Sequence, residues 1–283
     1  MTGILHLAGK GFIRTELPAF IMGIVNATPD SFWEKSRSGS TTQGIENALS
    51  LEEDGADIID IGGESSRPGS LYIDASEEID RVVPIIEGIR KHSTIPISVD
   101  TRKSAVMKAA LEAGADICND ISALEDDPAL VLLAVERDIP VILMHKQGIP
   151  LTMQENPHYT DVVRNVADYL FARALFAGKS GIKKEKIILD PGIGFGKQYA
   201  DNCALIAGLA EIAGHGYPVL VALSRKSFIG VMTGRETADR LSGTLAANLV
   251  SVQNGASILR VHDVRETHDI LSVLQEIQAR GIH

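Results

Sequence analysis

From Pro96 to Asn119 the chain reads PISVDTRKSAVMKAALEAGADICN. A short apolar run, Pro96–Asp100, is followed by small apolar residues at helical spacing and then by a second apolar run, Ala115–Asn119. Gly114 stands just before the second run, as Gly55 and Gly255 stand before two other apolar runs, and glycine at such a place commonly ends a helix. The stretch therefore predicts one strand–helix–strand unit, the building block of parallel sheets.

The same unit recurs along the chain. Short runs rich in Val, Ile and Leu are typical of strands that are buried on both faces. We predict them at Phe20–Asn26, Asp57–Ile61, Pro96–Asp100, Ala115–Asn119, Pro140–Met144, Lys186–Asp190, Pro218–Leu223 and Ser257–Val261. Eight strands that alternate with helices, without a linker between them, favour an α/β fold of the (β/α)8 TIM-barrel type over an open sheet. We expect residues 1–283 to form a single domain, in which a short hairpin within Met1–Glu16 caps the barrel floor.

Composition and charge limit the partners and the compartment. The chain is 45% hydrophobic and 23% charged, which suits one large domain. A formal net charge of −10 predicts a surface that repels nucleic acid and anionic membranes, so we expect neither as a partner. Cys118 and Cys203 lie in apolar segments and are predicted to be packed, reduced thiols. With no targeting segment and no apolar stretch of ~18 residues, the sequence predicts a cytoplasmic protein.

Each predicted strand ends in polar residues that a packed core would not select. They are Asn26, Asp60, Asp100, Asn119, His145, Asp190, Ser224 with Arg225 and Lys226, and Arg260 with His262. Any one of them fits a helix cap or a turn, and Arg260 also fits a structural ion pair. Barrel enzymes carry their chemistry at the carboxyl ends of the strands. Because polar residues recur at nearly every strand end, the sequence predicts an active site there.

Two glycine-rich loops follow predicted strands. Residues Asp60–Gly69 read DIGGESSRPG, and their glycines permit a positive φ that lets the backbone approach a ligand. Arg67 supplies a fork-shaped cation, and the functional interpretation of the loop is a mobile lid. Residues Asp190–Lys197 read DPGIGFGK, which lacks the spacing and the following Ser or Thr of a nucleotide phosphate loop. A nucleotide site is therefore not predicted.

Basic residues gather after the last two strands. Ser224–Ser227 precede an apolar segment and are predicted to open a helix, whose free N–H groups favour an anion. Arg260 and His262 follow the last strand, and these two loops form the usual phosphate site of such barrels. We expect an anionic ligand with a diphosphate or carboxylate group, the alternative being a solvated basic turn. Neither a zinc-ligand pattern nor a Gly-x-Ser-x-Gly elbow occurs, so neither zinc nor covalent catalysis is predicted.

Seven short motifs occur in one order. They are NATPDSF from Asn26, DIGGESSRPG from Asp60, SVDT from Ser98, NDI from Asn119, DPGIGFGK from Asp190, SRKS from Ser224 and RVHD from Arg260. On these motifs the chain resembles the dihydropteroate synthase family of pterin-binding barrels from about Ile21 to the C-terminus. The resemblance implies a transferase of folate biosynthesis. Such an enzyme condenses 6-hydroxymethyl-7,8-dihydropterin diphosphate with 4-aminobenzoate, giving 7,8-dihydropteroate and pyrophosphate, and is inhibited by sulfonamides.

The resemblance also assigns roles to residues. The matching positions are Asp100, Asn119, Met144, Asp190 and Lys226 for the pterin; Asn26, Arg260 and His262 for the diphosphate; and Ser66, Arg67, Pro68, Phe195 and Ser227 for aminobenzoate. It implies Asp100, Asp190, Lys226 and Arg67 as catalytic residues, Asn26 as the ligand of a Mg²⁺ ion, and a homodimer formed through the later helices.

The chain departs from the family pattern in places. Phe32 is followed by Trp33-Glu-Lys-Ser-Arg37, where the family commonly has a small residue, Asp and two glycines, so a bulkier first loop is expected. Ser66 replaces a frequent Thr, and Ala222 a common Gly. Two rival functions are a pterin-binding methyltransferase of the same superfamily and a catalytically silent pterin- or phosphate-binding barrel. The diphosphate-type motifs argue against the first, and the intact set of site residues against the second.

Overall fold

Parallel strands surrounded by helices form the centre of the computed structural model, which describes residues 3–9, 11–27, 37–67 and 69–281. The parallel strands in these ranges are β3 (Phe20–Asn26), β4 (Ile58–Gly62), β5 (Ile97–Asp100), β6 (Ile117–Asp120), β7 (Val141–Met144), β8 (Ile187–Asp190), β9 (Leu220–Val221) and β10 (Ile258–Val261). Their hydrogen-bonded order is β8-β7-β6-β5-β4-β3-β10-β9. A parallel bridge between Leu189 and Val219 joins the two ends of that order. The predicted (β/α)8 TIM barrel is confirmed.

Each of the eight predicted strands overlaps an observed one, and the largest difference is in β9. This strand covers two residues of the predicted run Pro218–Leu223. The Lys226 N–H donates to the Leu223 carbonyl at 3.1 Å, so the chain has already entered a turn where the apolar run ends. An apolar run predicts that its residues are buried, but it does not predict which of them form strand hydrogen bonds. Leu223 is fully buried and lies outside β9.

An antiparallel hairpin closes the lower end of the barrel, as predicted. Its strands are β1 (Gly3–His6) and β2 (Phe12–Thr15). Leu5 packs with the inward-facing residues at the amino ends of the strands, and Leu7 and Ile13 cover them. Those residues are Phe20, Met22, Ile58, Ile117, Ile142, Ile188, Leu220 and Ile258. The hairpin therefore covers the apolar residues at the amino ends of the strands. The opposite end of the barrel, where the strands have their carboxyl ends, is the end that carries polar groups.

Helices pack on the outer faces of the strands and bury a second apolar layer. They are α1 (Arg37–Glu53), α2 (Ala75–Arg90), α3 (Ser104–Ala113), α4 (Pro128–Glu136), α5 (Val162–Lys179), α6 (Tyr199–Ala207), α7 (Leu209–Ala213), α8 (Ser227–Thr233), α9 (Leu241–Gln253) and α10 (Val264–Arg280). Gly55, Gly114 and Gly255, predicted to end helices, have φ of +102°, +111° and +101°. Glycine adopts these angles without strain, and at each of the three positions the chain turns from the end of a helix into the next strand within a few residues.

The last helix departs from its predicted burial. The helical spacing of Ile270, Leu271, Leu274 and Ile277 predicts an apolar stripe that faces the core. Of these four residues, Leu271 alone is fully buried, and Ile277 is 64% exposed. The spacing therefore predicted the helix correctly, but it did not predict that the carboxyl-terminal part of α10 is exposed. In the described ranges we find no helix with the length and apolarity needed to cross a bilayer.

Candidate active site

The strand register brings the predicted polar residues to one rim. Asn26 lies opposite Gly62, Gly62 opposite Asp100, and Asp100 opposite Asn119 across β3 to β6. Met144 and Asp190 are paired in the same way across β7 and β8. Because all these strands are parallel, their carboxyl ends meet around one opening. The rest of the first motif, at residues 28–36 and including Trp33, lies outside the described residues, as does Pro68.

An arginine bridges carboxylates across this opening. The Arg260 guanidinium donates from Nε to Asp60 Oδ2 at 2.6 Å and from Nη2 to Asp100 Oδ2 at 3.0 Å. Asn119 donates its amide to both Asp60 oxygens at 3.3 Å. Asp60 is fully buried, so its charge is neutralised by these contacts and not by water. The structural pairing left open for Arg260 is therefore observed, and it ties β10 to β4 and β5.

Burial changes the acidity of the two carboxyl groups assigned to the pterin. It raises the pKa of Asp100 to about 7; the positive charge of Arg260 opposes this shift, and the negative charge of Asp60 adds to it. Burial also raises the pKa of Asp190, although the Gly192 N–H donates to Asp190 Oδ1 at 2.7 Å and favours the ionised form. Perturbed carboxyl groups in a polar opening are typical of functional sites.

Lys226 faces the same opening. Burial lowers its pKa to about 8, while the negative charges of Asp190 and Asp100 act in the opposite direction. Its ammonium donates to the Ile193 carbonyl and lies 4.8 Å from the centre of the Phe195 ring. Lys226 thus stands between the residues predicted for the pterin and one predicted for aminobenzoate.

The loops after β9 and β10 are fastened to each other. Arg225 has a left-handed φ of +56° and binds both oxygens of Asp263, at 3.0 Å through Nε and 2.6 Å through Nη2. The His262 Nδ1 is 3.0 Å from Ser224 Oγ. Ser227 begins α8, as predicted, and is exposed. The predicted basic residues of the two loops are thereby brought together at one side of the rim.

The loop after β4 is held at its base and open at its tip. Glu64 accepts from Lys103 Nζ at 2.7 Å, from Arg102 Nε at 3.2 Å and from the Ile73 N–H at 2.8 Å. The Arg102 guanidinium also lies 3.5 Å from the centre of the Tyr72 ring. Arg67, at the tip, is exposed. The base of the loop is therefore fixed by ion pairs that leave Arg67 facing solvent.

The glycines of the loop after β4 permit a positive φ, and one of Gly62, Gly63 and Gly69 adopts it. Gly69 has a φ of +85°, but Gly62 and Gly63 do not have positive φ. Gly63 is needed for space, because a Cβ there would lie 2.7 Å from Val82 Cγ2 and 3.0 Å from Glu78 Cγ. The close approach at Gly63 is thus to helix α2 and not to a ligand.

Asp60 is a site residue to which sequence reasoning gave no role. It was noted as a polar strand end and as the first residue of a loop motif, but its partner Arg260 is 200 residues away. Its one signal was a charged side chain within a run of isoleucines, where an unpaired carboxylate is costly. That signal predicts a partner without naming it.

Metal ligands are sparse at the rim. The described residues contain no group of three or more His, Cys, Asp or Glu side chains placed to hold a metal ion. Asn26, half-buried at the end of β3, offers one amide oxygen. Mg²⁺ in phosphate-binding sites is commonly held by one or two protein oxygens together with phosphate oxygens and water. This donor set fits an ion held mainly by a phosphorylated ligand and does not fit a resident metal centre.

Comparison with known proteins agrees with this geometry. The sequence profile of the pterin binding enzymes matches residues 22–262. The dihydropteroate synthase of Neisseria meningitidis serogroup B is 47% identical over 279 residues, which cover 95% of this chain and 96% of that protein. Solved structures of Xanthomonas albilineans dihydropteroate synthase are also similar. The structure with 4-aminobenzoic acid has a TM-score of 0.90 at 43% identity and 95% and 96% coverage, and the one with 7,8-dihydropteroate has 0.86 at 41% and 95% and 97%.

We predict that Asp60→Asn destabilises the fold strongly. The change leaves the Arg260 guanidinium without one of its buried counter-charges, and breaking such a pair costs about 3–5 kcal/mol of unfolding free energy. The control is Glu276→Gln, which removes the Arg280–Glu276 pair, 82% and 67% exposed; there the loss is expected to be under about 1 kcal/mol. Urea unfolding measures both, and similar losses in the two variants would contradict the role given to the Asp60–Arg260 pair.

Proposed function

Because this chain belongs to the family of pterin-binding enzymes, and within it to the dihydropteroate synthases, we propose that it joins 6-hydroxymethyl-7,8-dihydropterin diphosphate to 4-aminobenzoate. The products are 7,8-dihydropteroate and pyrophosphate, so the enzyme is a transferase of folate synthesis. The observation that carries the proposal is the rim itself, where carboxyl groups with raised pKa values stand beside Lys226 and Arg260. That arrangement suits a substrate that becomes cationic at one end and loses an anion at the other.

Recognition of the pterin is assigned to the groups at the ends of β5 to β8. A pterin edge presents amide and amino groups, which two carboxyl groups and an amide can match with donors and acceptors. Asp100, Asn119 and Asp190 supply them, Met144 lies beneath the ring and Lys226 beside it. The pKa of Asp100, raised to about 7, supports this assignment, since a carboxyl group that ionises near neutral pH can both donate and accept. Burial shifts the pKa of Asp190 in the same direction.

The reaction is proposed to be dissociative. The bond between the pterin methylene carbon and the diphosphate oxygen breaks first, and its electron pair leaves with the diphosphate. The resulting cation is delocalised over the pterin, near the carboxylates of Asp100 and Asp190, which stabilise it. The amino nitrogen of 4-aminobenzoate then attacks the methylene carbon and loses a proton to solvent. An aromatic amine is nucleophilic as it stands, so no strong base is required.

The leaving group is assigned to the basic side of the rim. Arg260 and His262 bind the diphosphate, with Ser224 holding the His262 ring through Nδ1. Asn26 would hold Mg²⁺ through its amide oxygen, in keeping with its single donor at the end of β3. When bound, this ion supplies positive charge that lowers the energy of the departing diphosphate. Because Arg260 also binds Asp100, charge at the leaving group and charge at the pterin are linked through one side chain.

The aminobenzoate pocket is assigned to the outer part of the rim. The residues proposed for it are Ser66, Arg67, Pro68, Phe195 and Ser227. Phe195 is half-buried next to Lys226, so its ring can lie against an aromatic substrate while Lys226 serves the pterin. Ser227 begins α8, where backbone N–H groups favour a carboxylate. Arg67 is exposed on the loop after β4, and its proposed role is to close over the bound substrates.

We predict that the purified protein releases pyrophosphate from the pterin diphosphate in proportion to dihydropteroate, when 4-aminobenzoate and Mg²⁺ are present. A sulfonamide should raise the KM for 4-aminobenzoate and leave kcat unchanged. Asp190→Asn should weaken pterin binding by ~1–3 kcal/mol because it mispairs a buried amide, whereas Asp168→Asn, an exposed change on α5, should leave it unchanged. Absence of turnover by the wild-type protein would refute the proposed function.

We predict a bell-shaped pH profile of kcat/KM for the pterin substrate. Asp100 must be ionised, so activity falls as the pH drops below its pKa of about 7. Lys226 must be protonated, so activity also falls as the pH rises above its pKa of about 8. Asp100→Asn should remove the acid limb, and Asp269→Asn, an exposed change on α10, should keep both limbs. An acid limb that survives in Asp100→Asn would assign it to another group.

We also propose a homodimer formed through the later helices. Apolar side chains are exposed on α8, α9 and α10, namely Val231 at 66%, Val250 at 43%, Val273 at 60% and Ile277 at 64%. Subunit interfaces bury contiguous apolar surface, and together with the family resemblance these side chains are the reason for proposing α8 to α10.

Sedimentation velocity should therefore give about twice the 30.3 kDa mass of the chain. Ile277→Glu should shift the protein towards the monomer because it places a charge in the interface. Leu132→Glu alters a side chain that is 72% exposed on α4 and should leave the dimer intact. A wild-type protein that sediments at the mass of one chain would count against this assembly.

A further inference from the structure

A second lysine lies behind the glycine-rich loop that follows β8. Lys197 is 3% exposed, and its Nζ is 2.9 Å from His145 Nδ1, 2.9 Å from the Gly192 carbonyl, 3.0 Å from the Phe195 carbonyl and 3.3 Å from the His145 carbonyl. An ammonium group has three protons and no acceptor, so these four acceptors fully engage it. Lys197 therefore has no donor left for a substrate.

The partners of Lys197 are the backbones of two loops in close contact. A Cβ on Gly192 would lie 1.9 Å from the His145 carbonyl oxygen, and one on Gly196 would lie 2.3 Å from the Gln147 carbonyl oxygen. Both glycines also have left-handed φ, +63° and +62°. The loop after β8 thus packs backbone against backbone on the loop after β7. Carbonyl oxygens brought together in this way repel each other, and a buried cation among them compensates that repulsion.

His145 is suited to accept from this cation. Burial and the charge of Lys197 lower the pKa of the His145 ring to about 3, so the ring is neutral and Nδ1 can accept a hydrogen bond from Nζ. Tyr169 packs edge-on against the ring with the centroids 4.9 Å apart, which fixes the ring in place. Burial lowers the pKa of Lys197 to about 7, and the negative charge of Asp190 favours the ammonium form.

The other side of the clamped loop faces the rim. Between the two carbonyls that Lys197 binds, at Gly192 and Phe195, lies Ile193, whose own carbonyl accepts from Lys226. The Phe195 ring lies 4.8 Å from the same ammonium. Movement of this loop would therefore displace both the aromatic wall of the rim and the acceptor that orients Lys226.

We propose that Lys197 is a positioning residue for the 4-aminobenzoate pocket, because its ammonium, bound between the loops after β7 and β8, sets the place of the Phe195 ring. This inference rests on the proposed function. Lys197 reaches the substrate through Phe195 and does not touch it. Asp100, Asn119 and Asp190, proposed for the pterin, stand on strands of the barrel. Lys226 loses one acceptor of its ammonium if the loop moves, but its backbone stays bound to Leu223 in the turn after β9. The loss of Lys197 therefore acts on the second substrate more than on the first.

The chain contains a matched control for the experiment. Lys186 is also 3% exposed, and its Nζ donates to the carbonyls of Gly9 and Asp138 and lies 2.9 Å from Asp138 Oδ2. It stands just before β8, at the barrel floor, whereas Lys197 follows the same strand at the rim. The two lysines share burial and backbone partners and differ in the end of the barrel they serve.

The experiment compares Lys197→Met with Lys186→Met in the full-length protein. Both should lower the melting temperature. Lys197→Met should raise the KM for 4-aminobenzoate by about tenfold or more, while the calorimetric Kd for the pterin substrate changes by less than about threefold; Lys186→Met should change both by less than about threefold. Equal effects on the two substrates in Lys197→Met, or the same KM shift in Lys186→Met, would overturn the proposal.

A milder variant covers the case in which Lys197→Met does not fold. His145→Phe keeps a ring against Tyr169 and removes the Nδ1 acceptor, so it should raise the same KM by a smaller factor without altering pterin binding. An unchanged KM in that variant would equally overturn the proposal. The wild-type rate tests the proposed function separately, since a wild-type protein without turnover refutes the function, whereas an active wild-type with insensitive variants refutes only the role of Lys197.

Discussion

The buried contact of Arg260 with Asp60 and Asp100 is the constraint on which the rim depends. A parallel barrel turns the carboxyl ends of all its strands towards one opening, and here these ends carry several buried ionisable groups. Isolated buried charges are too costly to persist, so they must be paired or partly neutralised. One guanidinium from β10 pairs with carboxylates on β4 and β5, and the register of the barrel carries Asn119 to the same point.

Arg260 neutralises Asp100 only in part, and a partly neutralised carboxyl group suits catalysis. Asp60 is satisfied by Arg260 and Asn119, but Asp100 shares the guanidinium and keeps a pKa near 7, and Lys226 has a pKa near 8. In the proposed reaction, a diphosphate bound to Arg260 would compete with Asp100 for the same cation. The Asp100 carboxylate would then interact with the positive charge that forms on the pterin, at the step where the leaving group departs. The two charges of that reaction would be balanced through a single side chain.

The sequence predicted the scaffold because its signals are local. Apolar runs, helical spacing and the glycines at positions 55, 114 and 255 each act within a few residues, and all were confirmed as strands, helices or left-handed turns. Partners could not be predicted in this way. Asp60 and Arg260 are 200 residues apart, and no period or motif connects them. Ile277 fits a helical stripe yet is exposed, because the stripe does not say where the neighbouring surface ends.

The two buried lysines at the ends of β8 separate what the fold requires from what the chemistry requires. At the floor, Lys186 meets a carboxylate and two carbonyls, and these contacts fasten a hairpin without reaching the opening. At the rim, Lys197 meets a neutral imidazole and three carbonyls, and no carboxylate of the described residues contacts it, while Asp190 acts on it from a distance. A carboxylate at the rim would bind Lys197 more strongly, but it would add a further negative charge beside Asp100 and Asp190 and raise their pKa values further. A neutral histidine holds the lysine without disturbing that balance, which explains why the cation that positions the rim is paired differently from the one that seals the floor.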